Sequence, residues 1–203
     1  MTDSHLTNFG LPGISTVPYG LHMCHFYNSR EELIEGLIPY FEAGLLSNEL
    51  CIWVASHPLP ASDIWAEVGK SEALERGVSS GQLRVLDAID WYGAPGALKS
   101  ADDLIDVLFI EYERALAEGF QGLRTNGNAS FVLQHDWAYF MEYELKLHQQ
   151  LQNRQIVACC SYYRQQCKPV DMLEVVHRHH GALDRSDEQW QLVLASEAGK
   201  LIA

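Results

Sequence analysis

The sequence predicts an α/β fold of three layers, in which a mostly parallel central sheet lies between two layers of helices. Short apolar runs rich in β-branched and aromatic residues alternate with helical patterns of ten or more residues. This order is typical of βαβ units and a parallel sheet. Two of the runs, CIWVA and IVACC, are apolar almost without interruption, as expected of strands that are covered on both faces.

Five strands and five helices are predicted in alternation. The strands are expected at 21–26, 50–56, 82–88, 121–126 and 155–163, and the helices at 29–46, 60–77, 100–119, 134–153 and 170–180. Ser29 and Glu32 form a capping-box pattern at the start of the first helix. Residues 1–18 are predicted to be an extended lead-in, 19–185 the main domain, and 186–203 a strand or a helix that packs on the same domain.

Composition and charge exclude several classes of protein. The chain has 203 residues, of which 47% are hydrophobic and 20% charged, so a globular domain is expected rather than a disordered chain. The net charge of −13 and the lack of any basic run argue against direct binding of nucleic acid or of an anionic membrane. No long apolar run or signal-peptide pattern is present, so we expect a cytoplasmic location and five reduced cysteines.

Uncommon residue types follow one another in a characteristic order along the chain. A His-x-Cys-x-Phe-Tyr motif precedes a helix that ends in Pro-Tyr-x-x-x-Gly-Leu, and Glu-x-Cys-x-Trp-Val comes next. The residues of the pattern are His22, Cys24, Phe26, Tyr27, Pro39, Tyr40, Gly44, Leu45, Glu49, Cys51, Trp53, Val54, Asp90, Trp91, Tyr92, Gly122, Leu123, Arg124, Trp137, Phe140, Tyr143, Glu144, Cys160, Ser161 and Tyr162. Over about residues 15–185 the chain resembles the MEDS domain, the methanogen/methylotroph sensory domain of the dichloromethane-operon repressor type.

The resemblance implies a RecA/KaiC-like fold without a Walker A loop, and residues 19–185 would be a MEDS-like sensory domain. It also implies sensing of a small apolar or one-carbon ligand in signal transduction or transcriptional regulation. Members often carry a helix-turn-helix or kinase output domain, for which this chain leaves no room. We therefore expect a protein signalling partner in trans, and self-association is implied because RecA-like proteins form homo-oligomers.

The segment between the first strand and the first helix argues against a nucleotide. A phosphate loop needs glycines and a lysine at this position, and the segment FYNSREEL contains neither. Glu31 and Glu32 also lie in the first turn of the helix, where they would repel a phosphate. We expect no bound nucleotide, no catalytic residue and no enzymatic activity.

The ligand is expected beyond the carboxyl ends of the strands, where open α/β sheets bind ligands. Aromatic residues with a few polar groups are concentrated there, which is typical of pockets for small organic molecules. Packing in the core is the alternative for the aromatic members. The predicted ligand-binding residues, from this argument and from the resemblance, are His22, Cys24, Phe26, Tyr27, Trp53, Asp90, Trp91, Tyr92, Arg124, Trp137, Glu144 and Tyr162.

The cofactor is unknown from sequence, and a metal or haem remains an alternative. His22 and Cys24 share one face of a predicted strand, and with His25 or Cys160 they could bind such a group. No Cys-x₂-Cys pair is present, which favours packing roles for these residues. A second candidate is formed by His177, His179 and His180 near a helix end, where solvated histidines are the alternative.

Three functions therefore stay open at the level of sequence. The first is a sensory domain for a small molecule. The second is a metal or haem protein, or an enzyme, that uses the face of His22 and Cys24. The third is a ligand-free module for protein–protein interaction.

Overall fold

The computed structural model of the protein describes residues 6–132, 135–186 and 189–195. Its strands are β1 Leu6–Asn8, β2 Thr16–Pro18, β3 His22–Tyr27, β4 Glu49–Ala55, β5 Leu83–Asp87, β6 Gly93–Ala94, β7 Ala97–Leu98, β8 Gly122–Asn128, β9 Ile156–Tyr163, β10 Gly181–Ser186 and β11 Gln189–Leu194. Its α-helices are α1 Arg30–Leu46, α2 Ala61–Val68, α3 Glu72–Ser79, α4 Ala88–Tyr92, α5 Ala101–Ala117, α6 Trp137–Gln150 and α7 Pro169–His177.

A seven-stranded sheet forms the centre of the molecule. Its strand order is β11-β10-β3-β9-β8-β4-β5. The pairs from β10 to β5 are all parallel, and β11 pairs antiparallel with β10 at the edge. The predicted α/β class with a mostly parallel central sheet is therefore confirmed.

Helices cover both faces of this sheet. Apolar residues of α1, α2 and α3 pack on one face, together with the lead-in residues Phe9, Leu11 and Val17. Those of α4, α5, α6 and α7 pack on the other face. The strands between the two layers are buried on both sides, which explains why β4 and β9 are nearly continuous apolar runs.

The elements differ from the sequence-based expectation in several places, and α4, the β6–β7 pair and β10 were not predicted. The helix predicted at 60–77 is two helices, α2 and α3, because the chain turns at Gly69 and Ser71 caps a new helix. The lead-in contains a hairpin of β1 and β2. In the C-terminal segment, which was predicted to be a strand or a helix, Gln189–Leu194 form the edge strand β11, and residues 196–203 lie outside the described residues.

The turn from β3 into α1 carries half of the predicted capping box, because Ser29 caps the helix but Glu32 reaches the backbone N–H of Asn28 rather than that of Ser29. Ser29 accepts a hydrogen bond from the backbone N–H of Glu32 at 3.2 Å, and the Glu32 carboxylate accepts one from the backbone N–H of Asn28 at 2.9 Å. The start of α1 is thus occupied by side chains of the chain itself. In the described segments, the helices are also too short or too polar to cross a bilayer.

Candidate functional site

The order of the strands creates a crevice at the carboxyl edge of the sheet. β3 and β9 are neighbours, but α1, which follows β3, covers one face and α7, which follows β9, covers the other. Adjacent strands whose helices leave on opposite sides open a crevice at their carboxyl ends, and ligands of open α/β sheets bind in such crevices.

An aromatic cleft of about 260 Å³ lies at this edge. Its walls come from the ends of β8 and β9 and from the first turns of α6 and α7. Most of the lining is apolar, with few polar groups. The aromatic cleft is lined by Ala129, Ser130, Val132, Trp137, Tyr162, Tyr163, Gln166, Cys167 and Asp171.

Two of the predicted ligand-binding residues, Trp137 and Tyr162, meet in the aromatic cleft. Their rings are perpendicular, with centroids 6.3 Å apart. The indole N–H of Trp137 donates to Glu174 at 3.1 Å, which fixes its orientation. The Tyr162 hydroxyl is buried and has no hydrogen-bond partner among the described residues. Burial raises its pKa, and the nearby Glu144 carboxylate raises it further.

Beneath Tyr162 lies a buried cluster of four polar side chains, His22, Glu144, Cys160 and His179, which we call the His–Glu–Cys cluster. Nε2 of His22 is 3.1 Å from Oε2 of Glu144 and 3.4 Å from Sγ of Cys160. Nε2 of His179 is 3.3 Å from the same carboxylate oxygen. The side chains of His22, Glu144 and His179 have no exposed surface, and Cys160 is also buried. Two predicted ligand-binding residues, His22 and Glu144, are thus in direct contact.

Four separate elements bring the His–Glu–Cys cluster together. His22 is the first residue of β3, and Cys160 lies in the middle of the adjacent strand β9. Glu144 projects from α6, and His179 comes from the turn between α7 and β10. The sequence analysis placed Cys160 beside His22 as one option and treated His179 separately. His179 lies 157 positions after His22 in the chain, and the two come together only because β10 pairs in parallel with β3.

The electrostatics of the cluster reflect its burial. Burial lowers the pKa of His22 to about 3, and the neighbouring His179 adds to the effect against the opposing Glu144. Burial also acts to raise the pKa of Glu144, but the two adjacent imidazoles outweigh it and hold this pKa well below its ordinary value. Burial raises the pKa of the Cys160 thiol. These directions favour a neutral His22 ring and a neutral Cys160 thiol beside an ionised Glu144 carboxylate.

Two more histidines lie between the cluster and solvent. The ring of His148 is 6.0 Å from that of His22 and 4.3 Å from that of His180, centroid to centroid. Nδ1 of His180 accepts a hydrogen bond from the backbone N–H of His22 at 3.0 Å. Both His148 and His180 are partly exposed, so they connect the buried cluster to the surface.

Arg124 lies elsewhere than the sequence suggested. The strand that contains it continues to Asn128, so Arg124 is in the strand rather than at its carboxyl end. Its guanidinium is fully buried on the α1 side, where Nε donates to Glu49 at 2.5 Å. Its other N–H groups reach the carbonyls of Phe9, Asn8 and Tyr40 and the hydroxyl of Thr7. Every donor of Arg124 is in use, so the expectation that it contacts a ligand at the edge is corrected.

Four further predicted residues do not line the aromatic cleft, although Trp91 and Tyr92 line a small internal space with Cys160 of the cluster. Trp53 is buried on the α1 face and stacks on Phe41 at 4.8 Å, while Trp91 and Tyr92 are buried in the opposite core. Asp90 is exposed on α4. Trp53, Trp91 and Tyr92 therefore pack in the core, which was the alternative for the aromatic residues, and Asp90 faces solvent.

Strand β3 places its side chains alternately on the two faces of the sheet. Tyr27 is buried and donates a hydrogen bond to Asn128 at 3.1 Å, and the half-buried Phe26 packs on Tyr162 at 5.6 Å. The Cys24 thiol lies 3.6 Å from the carbonyl of Gly181. His25 points to the α1 face, where its ring meets Trp190 at 5.3 Å. The alternation of side chains along β3 therefore separates His25 from His22, and the grouping of His22, Cys24 and His25 as metal ligands is corrected.

Comparison with known proteins agrees with this architecture. The family model MEDS, described as the methanogen/methylotroph, DcmR sensory domain, matches residues 21–180. The KaiC-like protein PH0186 of the hyperthermophilic archaeon Pyrococcus horikoshii OT3 has a similar structure, with a TM-score of 0.61 at 12% identity over 92% of this chain and 85% of that one. No curated protein sequence matches the chain. The family match spans most of the chain and includes the crevice edge and the cluster, so the chain belongs to the MEDS family of sensory domains.

Proposed function

We propose that this domain is non-catalytic and senses a small, weakly charged organic molecule that binds in the aromatic cleft. The observation that carries the proposal is the meeting of Trp137, Tyr162 and Tyr163 around about 260 Å³ at the carboxyl edge of the sheet. Membership of a sensory family supports it. A cleft with aromatic walls and few polar groups suits a compact apolar ligand.

The charges around the cleft favour the same class of ligand. Asp171 is the acidic residue of the lining, and no lysine or arginine lines the cleft in the described part of the chain. A phosphate or a carboxylate would meet this negative charge without a compensating cation. At the start of α1, Ser29 occupies the N–H of Glu32, and the carboxylates of Glu31 and Glu32 in the first turn oppose a phosphate.

Helix α7 is the element that could pass on the signal. Asp171 of α7 lines the aromatic cleft, while Val170 and Leu173 on the same helix are 66% and 62% exposed. Exposed apolar side chains of this kind are typical of protein-binding surfaces. A ligand that binds one position of α7 better than another would shift its population and so alter binding of a signalling partner in trans.

The proposal can be tested by blocking the cleft without touching the core. Gln166 is exposed and lines the cleft, so Gln166→Trp should fill it, whereas Gln165→Trp places the same side chain on an adjacent exposed position outside the lining. Saturation-transfer NMR with dichloromethane, methanol and phenol as probes measures binding. We expect at least one probe to bind wild type and the Gln165→Trp control, with binding at least about tenfold weaker in Gln166→Trp.

Two results would count against the cleft. One is that a probe binds equally well to the blocked variant, and the other is that folded wild type binds none of the three. Hydrogen exchange provides the link to signalling, because a bound probe should slow exchange across residues 169–177 more than across the distant helix α5.

A further inference from the structure

The His–Glu–Cys cluster has the geometry of a metal site. His22, Glu144, Cys160 and His179 each offer one ligand atom, and these four atoms lie within 4.8 Å of one another. Three of the six pairs are 3.1, 3.3 and 3.4 Å apart. Bonds of 2.0–2.3 Å to a tetrahedral Zn²⁺ place its ligand atoms roughly 3.3–3.8 Å from one another. The rings of His22 and His179 lie nearly face to face, with centroids 3.9 Å and planes 31° apart, so one ring must rotate before both Nε2 lone pairs point at one ion.

Several buried polar atoms of the His–Glu–Cys cluster are not satisfied by hydrogen bonds, and a bound cation would satisfy them. Nδ1 of His179 is 2.7 Å from the carbonyl of Val175, so Nδ1 carries the proton and donates it. In the neutral ring Nε2 is then a bare lone pair, and it faces the carboxylate of Glu144. Nε2 of His179 and both oxygens of Glu144 make no hydrogen bond of good geometry within the described residues, although Oε2 lies 3.1 Å from Nε2 of His22 and 3.3 Å from Nε2 of His179. Buried polar atoms rarely remain unpaired, and buried carboxylates are paired or bind metals.

The chemistry and charge of the four donors also agree with one ion. Two imidazole nitrogens, one sulfur and one carboxylate oxygen belong to the ligand types that Zn²⁺ takes in proteins. A thiolate at Cys160 and the carboxylate of Glu144 together offset the two positive charges, so the occupied site would be neutral. The carbonyl of Val175 fixes the His179 ring from behind, as the outer partner of a metal-bound histidine usually does.

We propose that His22, Glu144, Cys160 and His179 bind one Zn²⁺ ion in a closed, four-coordinate site. The ion would fasten β3, β9, α6 and the α7–β10 turn to one another. Its route from solvent runs past the partly exposed His148 and His180, whose rings lie 4.3 Å apart. The site does not depend on a ligand in the aromatic cleft, so the two proposals can fail separately.

Metal content tests the proposal directly. Untagged protein, refolded with excess Zn²⁺ and desalted, should contain one zinc per chain by inductively coupled plasma mass spectrometry. Cys160→Ser and His179→Gln should contain less than about a tenth of that, because loss of a ligand weakens binding by more than about 100-fold. Cys24→Ser, a buried thiol on the same face, and His177→Gln, an exposed histidine, are the matched controls and should keep the full equivalent.

Substitution with Co²⁺ shows in the wild-type protein whether a thiolate binds the ion, so this measurement does not require a variant to fold. Tetrahedral Co²⁺ in wild type should give strong visible bands and a near-ultraviolet sulfur-to-cobalt band. Cys24→Ser should retain the sulfur band, and folded Cys160→Ser should lose it. The proposal is overturned if folded wild type binds less than a tenth of an equivalent of zinc. It is also overturned if the sulfur band is lost in Cys24→Ser, or if Cys160→Ser and His179→Gln contain as much zinc as wild type.

Discussion

The two faces of the central sheet each bury a charged carboxylate, and they treat it in opposite ways. On the α1 face Glu49 pairs with Arg124, and both oxygens accept hydrogen bonds, from Arg124, Thr7 and Tyr19. On the α6 face Glu144 lies among His22, His179 and Cys160 with no hydrogen-bond partner in the described chain. A fully satisfied buried network fixes a structure, whereas an unsatisfied one of equal burial indicates a place for a ligand.

The satisfied pair also explains the position of the lead-in. Arg124 donates to the carbonyls of Asn8 and Phe9, and Glu49 accepts from Thr7, so the ion pair holds the β1 segment on the domain. Helix α1 lies close to the Arg124 side chain because Gly44 has no side chain of its own. A Cβ at this position would lie 2.6 Å from Cδ of Arg124. Arg124 therefore contributes to the assembly of the fold and not to the aromatic cleft.

Breaking the satisfied pair should have the largest effect. Glu49→Gln leaves the Arg124 guanidinium buried without an opposite charge, and we expect the free energy of unfolding to fall by about 3–5 kcal/mol. Urea denaturation followed by circular dichroism measures the change. Glu72→Gln, in the exposed pair with Arg76, is the control and should leave stability nearly unchanged. A loss below about 1 kcal/mol for Glu49→Gln would show that the pair is not a structural anchor.

His25 sharpens the comparison, because it lies on the α1 face but its Nε2 has no hydrogen-bond partner in the described residues. Burial lowers its pKa to about 4, against a smaller opposing effect of Glu32. The unfolded chain, with an ordinary pKa near 6.5, takes up the proton first as the pH falls. The stabilisation is therefore complete above about pH 6.5 and is lost as the pH falls toward 4, by about 3 kcal/mol.

Replacing the titrating ring checks that sign. The free energy of unfolding, measured by urea denaturation at several pH values between 7.5 and about 4, should fall less steeply with decreasing pH for His25→Gln than for wild type. This difference in slope is expected whatever the stability of the variant at neutral pH. His177→Gln changes an exposed histidine and should keep the wild-type slope. Parallel curves for wild type and His25→Gln would mean that His25 is protonated equally in the folded and unfolded chains.

Metal removal should separate the two carboxylates. At a free Zn²⁺ concentration about 100 times its dissociation constant, binding stabilises the folded chain by roughly 2.7 kcal/mol, which corresponds to about 5–10 °C in Tm for a chain of this length. Calorimetry should show this gain in wild type and its reversal by a chelator. Glu144→Gln should show little of either response, while the unbroken Arg124–Glu49 pair keeps the rest of the fold intact. An equal gain in Glu144→Gln would place the zinc elsewhere.

Local patterns allowed much of the fold to be predicted. The capping pattern of Ser29 and Glu32 and the apolar period after it specified α1 to within a residue, and the runs CIWVA and IVACC marked β4 and β9 as doubly covered. These signals depend on residues that are close in the chain, so they can be recognised in the sequence alone. The lack of glycine and lysine before α1 likewise excluded a phosphate loop without reference to the structure.

The site was only partly predictable, for physical reasons that concern register. Trp137, Tyr162, His22 and Glu144 were among the expected ligand-binding residues, but the sequence could not show that they divide between a cleft and a buried cluster. Arg124 was misplaced because β8 runs two residues further than its apolar signal, ending in GlyAsn at 127–128. His25 was grouped with His22, although three positions along a strand change the face.

The sequence by itself determined the alternation of the main strands and helices, the two-sided burial of the sheet and the loss of the phosphate loop, because each depends on residues that are close in the chain. The tertiary structure alone decided which buried polar groups are satisfied. Glu49 meets its arginine and Glu144 meets two histidines through contacts that span 35 to 122 positions and depend on which strands are neighbours and which face each helix covers. Hydrogen-bond satisfaction is a property of three-dimensional neighbours, and no local pattern encodes it.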